Sequence, residues 1–286
     1  MNNALEVSHL TKDYGSFKLD DVSFTVPGGT IMGLIGENGA GKSTTIKCIL
    51  NLAHRDAGEI SVFGLDTIID ERAVKAQLGV VLDDSSYFNP FTPAQIDRIQ
   101  KGLYPQWDSA IFQHYLDKFS LPERKLIKDF SKGMRMKLAL AAAFAIHPNL
   151  LLLDEATSGL DPVVRDEILD EFLDFIQDET HSILISSHIT SDLEKVADYV
   201  TYLHKGKVAL TGAKDELLDT YGKLVCGRTD LEGVDPSLLG GHRMGQFGCE
   251  ALVKDRHAFT RRYPGLTVEP ASLEDIMIFT VKGDAQ

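Results

Sequence analysis

The sequence predicts an α/β fold with a mainly parallel core sheet, because apolar strands alternate with helices along the chain. The apolar residues 31–35 lead through a glycine-rich turn at residues 36–43 into a helix-compatible segment. The apolar residues 150–153 precede an amphipathic, acidic segment at residues 166–179, and another apolar run follows at residues 182–186. Such alternation indicates parallel strands that are covered by helices on both faces.

Composition and net charge indicate a globular protein that does not bind nucleic acid. Of 286 residues, 43% are hydrophobic and 25% are charged, which is typical of a globular protein. The formal net charge of -13 argues against nucleic-acid binding, since such proteins present clustered Lys and Arg. The three cysteines lack disulfide or metal-ligand spacing and fit a reducing cytosol. We expect neither an export signal nor a membrane-spanning segment.

The first part of the chain predicts an antiparallel β subdomain ahead of the core. Short alternating runs at residues 5–10 and 18–26 are separated by turn residues at 14–16, and residues 59–66 continue the pattern. A brief apolar run at residues 78–82 then predicts one more strand.

A mostly helical insertion is expected at about residues 91–139. Two of its helices begin after the capping residues Thr92 and Asp108. Apolar spacing predicts helices over residues 93–102, 108–119 and 121–128, and a longer helix over residues 131–145.

The last part of the chain predicts a return to the core and then a small C-terminal extension. A helix from Ser191 is followed by a strand pair that turns at Lys205-Gly206. Beyond residue 222 glycines become frequent, and apolar periodicity returns only at residues 266–283. We therefore divide the chain into a first domain at residues 1–222 and an accessory region at residues 223–286, in which we identify no chemistry.

Residues 36–43 have the composition of a phosphate-binding loop set between a strand and a helix. Its glycines let backbone N–H groups converge on phosphate oxygens, and the following helix adds its positive N-terminal end. Lys42 supplies a charge to the β- and γ-phosphates, and the Ser43 hydroxyl supplies a ligand to Mg²⁺. An ordinary glycine-rich turn is the alternative, which the full match disfavours. We expect a nucleoside triphosphate on the following residues: Gly36, Glu37, Asn38, Gly39, Ala40, Gly41, Lys42, Ser43 and Thr44.

A second motif lies where the strand at residues 150–153 ends in two acids, Asp154 and Glu155. Beside a phosphate-binding loop, Asp154 is placed to hold Mg²⁺, and Glu155 is placed to orient and polarise the attacking water. The two acids repel each other unless a cation is present. The alternative is a strand that runs into a helix N-cap, where acidic residues are common.

Three shorter motifs complete an ordered set. Phe130-Ser131-Lys132-Gly133-Met134 precedes a helix, Ser158-Gly159-Leu160-Asp161 follows the acidic strand, and Ser186-Ser187-His188 ends the next strand. The set resembles the ATP-binding subunits of ATP-binding-cassette (ABC) transporters over about residues 1–220. This resemblance implies a P-loop NTPase fold of the ABC ATPase type, ATP hydrolysis as the activity, and ATP and Mg²⁺ as ligands.

The resemblance also implies roles for five residues outside the loop and the acidic strand. Tyr14 matches the aromatic residue that stacks on adenine, and His188 matches the residue that senses the γ-phosphate. Ser131 and Gly133 match the signature that meets the γ-phosphate bound by another subunit, and Asp161 lies in the loop that crosses that interface. A head-to-tail homodimer, or a heterodimer with a related ATPase subunit, is therefore expected. Taken alone, Tyr14 would be a turn residue and His188 a capping or core histidine.

The sequence departs from the family pattern at four places. Lys132 and Met134 replace the commonest signature residues, and Ala156 replaces the usual proline after the acidic pair. The strand at residues 78–82 normally leads to a glutamine that touches Mg²⁺ and moves with the membrane partner. Here it leads to Asp83-Asp84, and Asp83 is our candidate for the missing metal contact.

The signature, residues 104–108 and residues 273–277 resemble the ATPase subunits of ABC-2-type exporters, in particular a YtrB-like bacterial branch. We accordingly expect a transmembrane permease as partner, no nucleic acid, and a cytoplasmic location, peripheral on the cytoplasmic face of the plasma membrane. Two alternatives stay open at this point. One is a soluble ABC ATPase of DNA repair or translation, and the other is a nucleotide-binding regulator without turnover.

Overall fold

A computed structural model of the chain describes residues 3–82, 89–245 and 248–281 in full, and residues 282–283 as backbone only. The strands are β1 Asn3–Asp13, β2 Lys18–Pro27, β3 Ile31–Ile35, β4 Ala57–Val62, β5 Leu65–Asp66, β6 Leu78–Val81, β7 Leu150–Asp154, β8 Ser182–Ser187, β9 Tyr199–His204, β10 Lys207–Ala213, β11 Gly222–Cys226, β12 Leu239–Met244, β13 Cys249–Val253 and β14 Val268–Pro270.

The helices lie between these strands or follow them. They are α1 Lys42–Ile49, α2 Glu71–Lys75, α3 Pro93–Leu103, α4 Ser109–Lys118, α5 Lys132–Phe144, α6 Pro162–Phe175, α7 Thr190–Val196, α8 Lys214–Thr220, α9 Arg228–Glu232, α10 Arg256–Arg262 and α11 Leu273–Gly283. Both caps predicted for the helical insertion are confirmed. Thr92 forms a capping box with Gln95 at the start of α3, and Asp108 accepts two backbone N–H groups at the start of α4.

The core is a six-stranded sheet in the order β10-β9-β3-β8-β7-β6, in which only the β10–β9 pair is antiparallel. The strands β3, β7 and β8 are wholly buried, as the apolar runs at their centres predict for strands covered on both faces. Because parallel strands end at the same edge, β3, β7 and β8 deliver their following residues to one place. The predicted mainly parallel core sheet is confirmed.

The antiparallel β subdomain is a second sheet in the order β2-β1-β4-β5. It is joined to the core at the turn between β9 and β10. Gly206 in that turn has a φ of 79°, and a Cβ there would lie 1.8 Å from the carbonyl oxygen of Lys18. Its carbonyl oxygen accepts the N–H of Asp20 at 2.8 Å. Only glycine fits this close approach of two backbones.

The helical insertion is confirmed, but the helix predicted over residues 121–128 is wrong. The structure has a single 3-10 turn there, at Ile127–Asp129. The backbone explains the difference, because the N–H of Ile127 donates to the carbonyl of Phe91 and that of Lys128 to the carbonyl of Asn89. These bonds to a distant segment replace the local bonds of a helix, and Pro122 lacks an N–H to contribute.

The region after residue 222 contains a third sheet, which the sequence analysis did not predict. Its strands are antiparallel in the order β12-β13-β11-β14. One face packs on a small core of its own, with Leu224, Ala251 and Phe259 fully buried. The strands are short and glycine interrupts their alternation, so their hydrophobic signal is weak.

The final helix, α11, returns to the core and packs on α7. Leu273, Ile276 and Phe279 of α11 belong to the same buried apolar cluster as Leu193 of α7. The carboxylate of Glu194 accepts the N–H of Leu273 at 2.7 Å, which satisfies a donor at the start of the helix. The division of the chain at residue 222 therefore stays a prediction. Among the described residues, no helix combines the length and apolarity that crossing a membrane requires.

Candidate functional site

The phosphate-binding loop connects β3 to α1 as predicted. Gly39 and Gly41 have φ values of 82° and 115°, a left-handed conformation in which a Cβ would be strained. Gly36 is needed for a different reason. A Cβ at this position would lie 2.6 Å from the carbonyl oxygen of Leu203 and 2.9 Å from the Cβ of Ala40. The loop is therefore closely packed against the end of β9.

A backbone link holds the outer part of this loop. The carbonyl of Glu37 accepts the N–H of Ala40 at 3.1 Å, and the carbonyl of Ala40 accepts the N–H of Gly206 at 3.0 Å. Asn38 and Gly39 between them are exposed, and Thr44 is half-buried in the first turn of α1. Gly206 thus connects the phosphate-binding loop to the antiparallel subdomain as well as to the turn between β9 and β10 of the core sheet.

The Lys42 ammonium lies in the middle of the site and is only 5% exposed. It donates to the carbonyl oxygens of Gly36 at 2.7 Å and Glu37 at 3.3 Å. Its third contact is an ion pair with Oε1 of Glu155 at 3.1 Å. A buried cation requires such partners, since an unpaired charge away from water is costly.

Asp154 is buried and is tied to two hydroxyl groups. Its Oδ1 accepts from the Ser43 hydroxyl at 3.1 Å and from the Ser186 hydroxyl at 2.6 Å. The end of β7 is thereby joined to the phosphate loop on one side and to β8 on the other. The sequence reasoning gave Ser186 no role of its own. Its place two residues before His188, at the end of a buried strand, was the available signal.

Glu155 turns the chain sharply out of β7. Its φ is 54°, which is uncommon for a residue with a Cβ and costs free energy that the surroundings must offset. Its N–H donates to the carbonyl and to the hydroxyl of Ser186, at 3.1 Å each. This turn directs one carboxylate oxygen to Lys42 and the other to Nδ1 of His188, 2.7 Å away. The sequence did not predict the left-handed conformation.

Tyr14 lies in the turn between β1 and β2, and its side chain is 53% exposed. Its N–H donates to the carbonyl of Phe17 at 2.9 Å, and the Lys12 ammonium lies 5.3 Å from its ring centroid. Phe17 in turn lies close to the loop, since a Cβ on Gly41 would be 3.1 Å from its ring. Between this turn and the phosphate loop is a cleft of about 410 Å³.

The signature residues form a separate group with the predicted interface loop. Ser131 caps α5, its hydroxyl accepting the N–H of Met134 at 3.2 Å, and Asp161 caps α6 by accepting the N–H of Val164 at 3.1 Å. The two helix starts are adjacent, because a Cβ on Gly133 would lie 3.0 Å from a methyl group of Val164. Lys132 likewise approaches Gly159.

The structure thus brings Lys42, Ser43, Asp154, Glu155 and His188 into one cluster at the carboxyl edge of the core sheet. The described contacts of Ser131, Gly133 and Asp161 are with α5 and α6, so these residues form a second group. Asp83 and Asp84 lie outside the described residues.

The first cluster fits a nucleoside triphosphate with Mg²⁺. The loop has glycine where a Cβ would collide or be strained, so its backbone N–H groups can approach phosphate oxygens. The Ser43 hydroxyl and the Asp154 carboxylate lie 3.1 Å apart and are hard oxygen donors of the kind that Mg²⁺ prefers. Lys42 adds the positive charge that a triphosphate needs.

Comparison with known proteins gives consistent relatives. The sequence matches the ABC transporter family over residues 19–158. It is 31% identical over 221 residues to the ABC transporter ATP-binding protein YtrB of Bacillus subtilis (strain 168), across 77% of this chain and 75% of YtrB. It is 32% identical over 211 residues to the bacitracin transport ATP-binding protein BcrA of Bacillus licheniformis, across 73% of this chain and 69% of BcrA.

Solved structures agree with these relatives. A structure of the ATP-binding subunit of an ABC transporter superimposes with a TM-score of 0.66 at 30% sequence identity, covering 75% of this chain and 91% of that one. An ATP-binding cassette of an ABC transporter in its ADP conformation gives a TM-score of 0.65 over 76% of this chain and 93% of that one. At 19% identity, the second similarity supports the fold alone.

Proposed function

The chain belongs to the ABC transporter family as an ATP-binding, ATP-hydrolysing subunit that powers transport, and we propose that it works as a dimer that closes on two ATP molecules and moves a separate permease. The observation that carries the proposal is the cluster around Glu155. One carboxylate lies between the phosphate-loop lysine and His188, at the edge where ATP would bind. A carboxylate in this position can accept a proton from an attacking water.

We assign the following steps to the residues of the cluster. Lys42 and the loop N–H groups hold the β- and γ-phosphates, and His188 orients the Glu155 carboxylate. Glu155 then orients water and takes its proton. Ser43 and Asp154 would hold Mg²⁺, which when bound neutralises charge on the phosphates. Asp83 remains a candidate for a further metal contact on sequence grounds.

A dimer accounts for the separation between the two groups of site residues. The signature at the start of α5 offers the Ser131 hydroxyl and a helix N-terminus, both suited to an anion. Gly133 and Asp161 are next to it, at the start of two adjacent helices. We propose that this surface meets the γ-phosphate bound to a second subunit, in a homodimer or a heterodimer. ATP then favours the closed dimer because ADP lacks the bridging phosphate.

We propose that the permease contacts a groove between the core and the helical insertion. This groove has a volume of about 320 Å³ and an apolar lining that includes Leu82, Tyr104 and Ala142. Leu52 and Tyr104, which both line the groove, are 63% and 44% exposed, so the groove continues into exposed apolar surface of the kind that marks interaction sites. The groove adjoins the end of β6, the strand that in the family leads toward the membrane partner. Contact between this groove and the permease would place the chain on the cytoplasmic face of the plasma membrane.

An exporter of the ABC-2 type is the transporter that we propose. Among the similar proteins, one is named for bacitracin transport, one for lantibiotic transport, and one for daunorubicin/doxorubicin resistance. The cargo of this chain is not proposed, because cargo contacts belong to the permease. A role in DNA repair or translation is not favoured, since the relatives are transporter subunits and the net charge is -13.

Purification from a detergent extract tests the proposal. A polytopic membrane protein should copurify with the tagged chain. When the two proteins are reconstituted in lipid vesicles, the membrane protein should increase the rate of ATP hydrolysis by the tagged chain. Leu52→Glu should abolish retention while basal hydrolysis persists. Ile69→Glu is the matched control, because Ile69 is also exposed, at 84%, but does not line the groove. Retention of ribosomes or DNA instead would refute the transport role, and equal retention by both variants would refute the groove.

A further inference from the structure

Three sulfur-bearing residues lie in one row across the C-terminal sheet. Met244 of β12 is opposite Cys249 of β13, and Cys249 is opposite Cys226 of β11. The Sγ of Cys249 lies 3.0 Å from the Sδ of Met244. Directly opposite residues of an antiparallel sheet point to the same face, so the three sulfurs share a side of the sheet.

The two thiols differ in access. Cys249 is fully buried in the small core of this sheet, whereas Cys226 is half-buried and packs against the edge of the same core. Leu224 and Ala251, the next opposite pair on that face, are fully buried. A reagent from solution therefore meets Cys226 first, and Cys249 lies behind it.

The backbone already has the separation that a disulfide needs. Opposite residues of an antiparallel pair have Cα atoms about 4.5–5.5 Å apart, and disulfides span Cα distances of about 4.4–6.8 Å. Burial raises the pKa of the Cys226 thiol, and a negative charge on a Cys249 thiolate would raise it further. Because the thiolate is the nucleophile, the raised pKa also makes the exchange slow at neutral pH.

We propose that Cys226 and Cys249 are a redox-active thiol pair that low-molecular-weight disulfides convert to an intramolecular disulfide. The Cys226 thiolate attacks oxidised glutathione, forming a mixed disulfide and releasing one glutathione thiolate. The Cys249 thiolate then attacks the Cys226 sulfur and releases the second glutathione. Two protein thiols are oxidised, one glutathione disulfide is reduced to two glutathione molecules, and the two thiol protons pass to the leaving thiolates.

The bond would fix two strands that have different neighbours. β11 begins two residues after α8 and pairs with both β13 and β14, while β13 also pairs with β12. A covalent link between β11 and β13 would close the chain between residues 226 and 249 into a loop and reduce opening of the sheet. The proposal does not depend on the transport function, because its residues lie outside the ATP site.

Thiol counting on the full chain tests the pair. The protein is incubated with oxidised glutathione at graded ratios to reduced glutathione, quenched with acid, unfolded, and alkylated. Of three cysteines, one should remain reactive, and the chain should lose two hydrogens in mass. Peptide mapping should identify a disulfide-linked pair of peptides, one containing Cys226 and the other Cys249. Dithiothreitol should restore all three thiols.

Three variants separate this outcome from others. Cys48→Ala, in the core of the first domain, should leave the pair able to oxidise fully. Cys226→Ser and Cys249→Ala should each abolish the internal bond. Because Cys249 is buried, circular dichroism of its variant is compared with that of the parent, and the Cys226 variant stands as the independent test. A persistent glutathione adduct, a disulfide between two chains, or three reactive thiols under oxidising ratios would overturn the proposal.

Discussion

The Nδ1 atom of His188 lies 2.7 Å from Oε2 of Glu155. Glu155 is 13% exposed and His188 41% exposed, so the pair spans the boundary between the buried phosphate loop and the surface. The other oxygen of the same carboxylate contacts Lys42. A single side chain therefore connects Lys42, the proposed phosphate-binding residue, to His188, the proposed γ-phosphate sensor.

Replacing Glu155 by Gln should reduce ATP turnover by about 10²-fold or more, because the amide keeps the size of the side chain but cannot accept a proton. ATP binding should persist, and ATP should then trap a dimer that light scattering detects. Glu59→Gln, at an exposed position of β4, is the control and should hydrolyse ATP at the parent rate. Near-parental turnover by Glu155→Gln would remove Glu155 from the role of base.

The signature should act between subunits. If the signature meets the partner's γ-phosphate as proposed, Gly133→Asp would place a carboxylate against it, so each variant chain should bind ATP and yet fail to close or hydrolyse. Lys42→Ala should fail for the opposite reason, since it loses its own phosphate contact. Mixed dimers of the two variants should recover one working site, measured as phosphate release. Neither variant alone should release phosphate at an appreciable rate. If mixtures in which the subunits exchange also fail to release phosphate, the signature does not act between subunits.

Asp83 should matter more than Asp84 if it replaces the family's glutamine. Asp83→Ala should raise the Mg²⁺ concentration needed for hydrolysis and weaken stimulation by the permease, because a charged oxygen ligand would be lost. Asp84→Ala is the matched control and should have less effect on both. Magnesium titrations with and without the reconstituted permease measure this. If both variants match the parent in Mg²⁺ requirement and in stimulation by the permease, neither aspartate takes the place of the glutamine.

Gly206→Ala should destabilise the protein by about 1–3 kcal/mol or more, because the added Cβ would meet the Lys18 carbonyl and the backbone is left-handed. Gly102→Ala is the control. Gly102 is the penultimate residue of α3 and has no heavy atom within 4 Å of a built Cβ, so alanine should stabilise that helix by up to about 0.5 kcal/mol. Urea unfolding followed by circular dichroism should move the two midpoints in opposite directions.

Asp66 should make stability fall in acid. The N–H of Ile69, together with the N–H of Ile68 and with Arg55, holds the pKa of its carboxyl below the ordinary value. A lowered folded-state pKa gives stability that is present above the unfolded pKa, about 4, and is lost as the pH falls through the folded pKa. Asp66→Asn has no titrating carboxyl at this position and therefore lacks this pH-dependent contribution to stability. The stability difference between parent and variant should be constant near neutral pH and vanish in strong acid.

The sequence predicted those parts of the site that local chemistry determines. The backbone conformation of the phosphate-binding loop requires glycine at Gly39 and Gly41, and Lys42 belongs to the same motif. One short segment of sequence was therefore enough to predict all three residues. Glu155 was predicted as a residue but not in its left-handed conformation, because that depends on Ser186 of a neighbouring strand. The tie between Ala40 and Gly206 likewise joins segments that are far apart in sequence.

In the fold, too, features determined by local sequence were predicted, whereas features that depend on distant segments were not. The strands β3, β7 and β8 are buried on both faces, and the apolar runs at their centres identified them. Residues 121–128 satisfied a helical pattern, but their N–H groups found partners at Phe91 and Asn89. The sheet after residue 222 escaped prediction because strands such as β14, with three residues, contain too few positions to show alternation.

The docking of α11 on α7 bears on how truncation experiments are interpreted. A chain cut after residue 222 would lack Leu273, Ile276 and Phe279, which share a buried cluster with Leu193. The uncovered helix begins two residues after His188, so we expect the cut to disturb the position of this proposed phosphate sensor. A loss of activity on removing the C-terminal residues would therefore report damage to the motor, and it could not be assigned to a missing regulatory module.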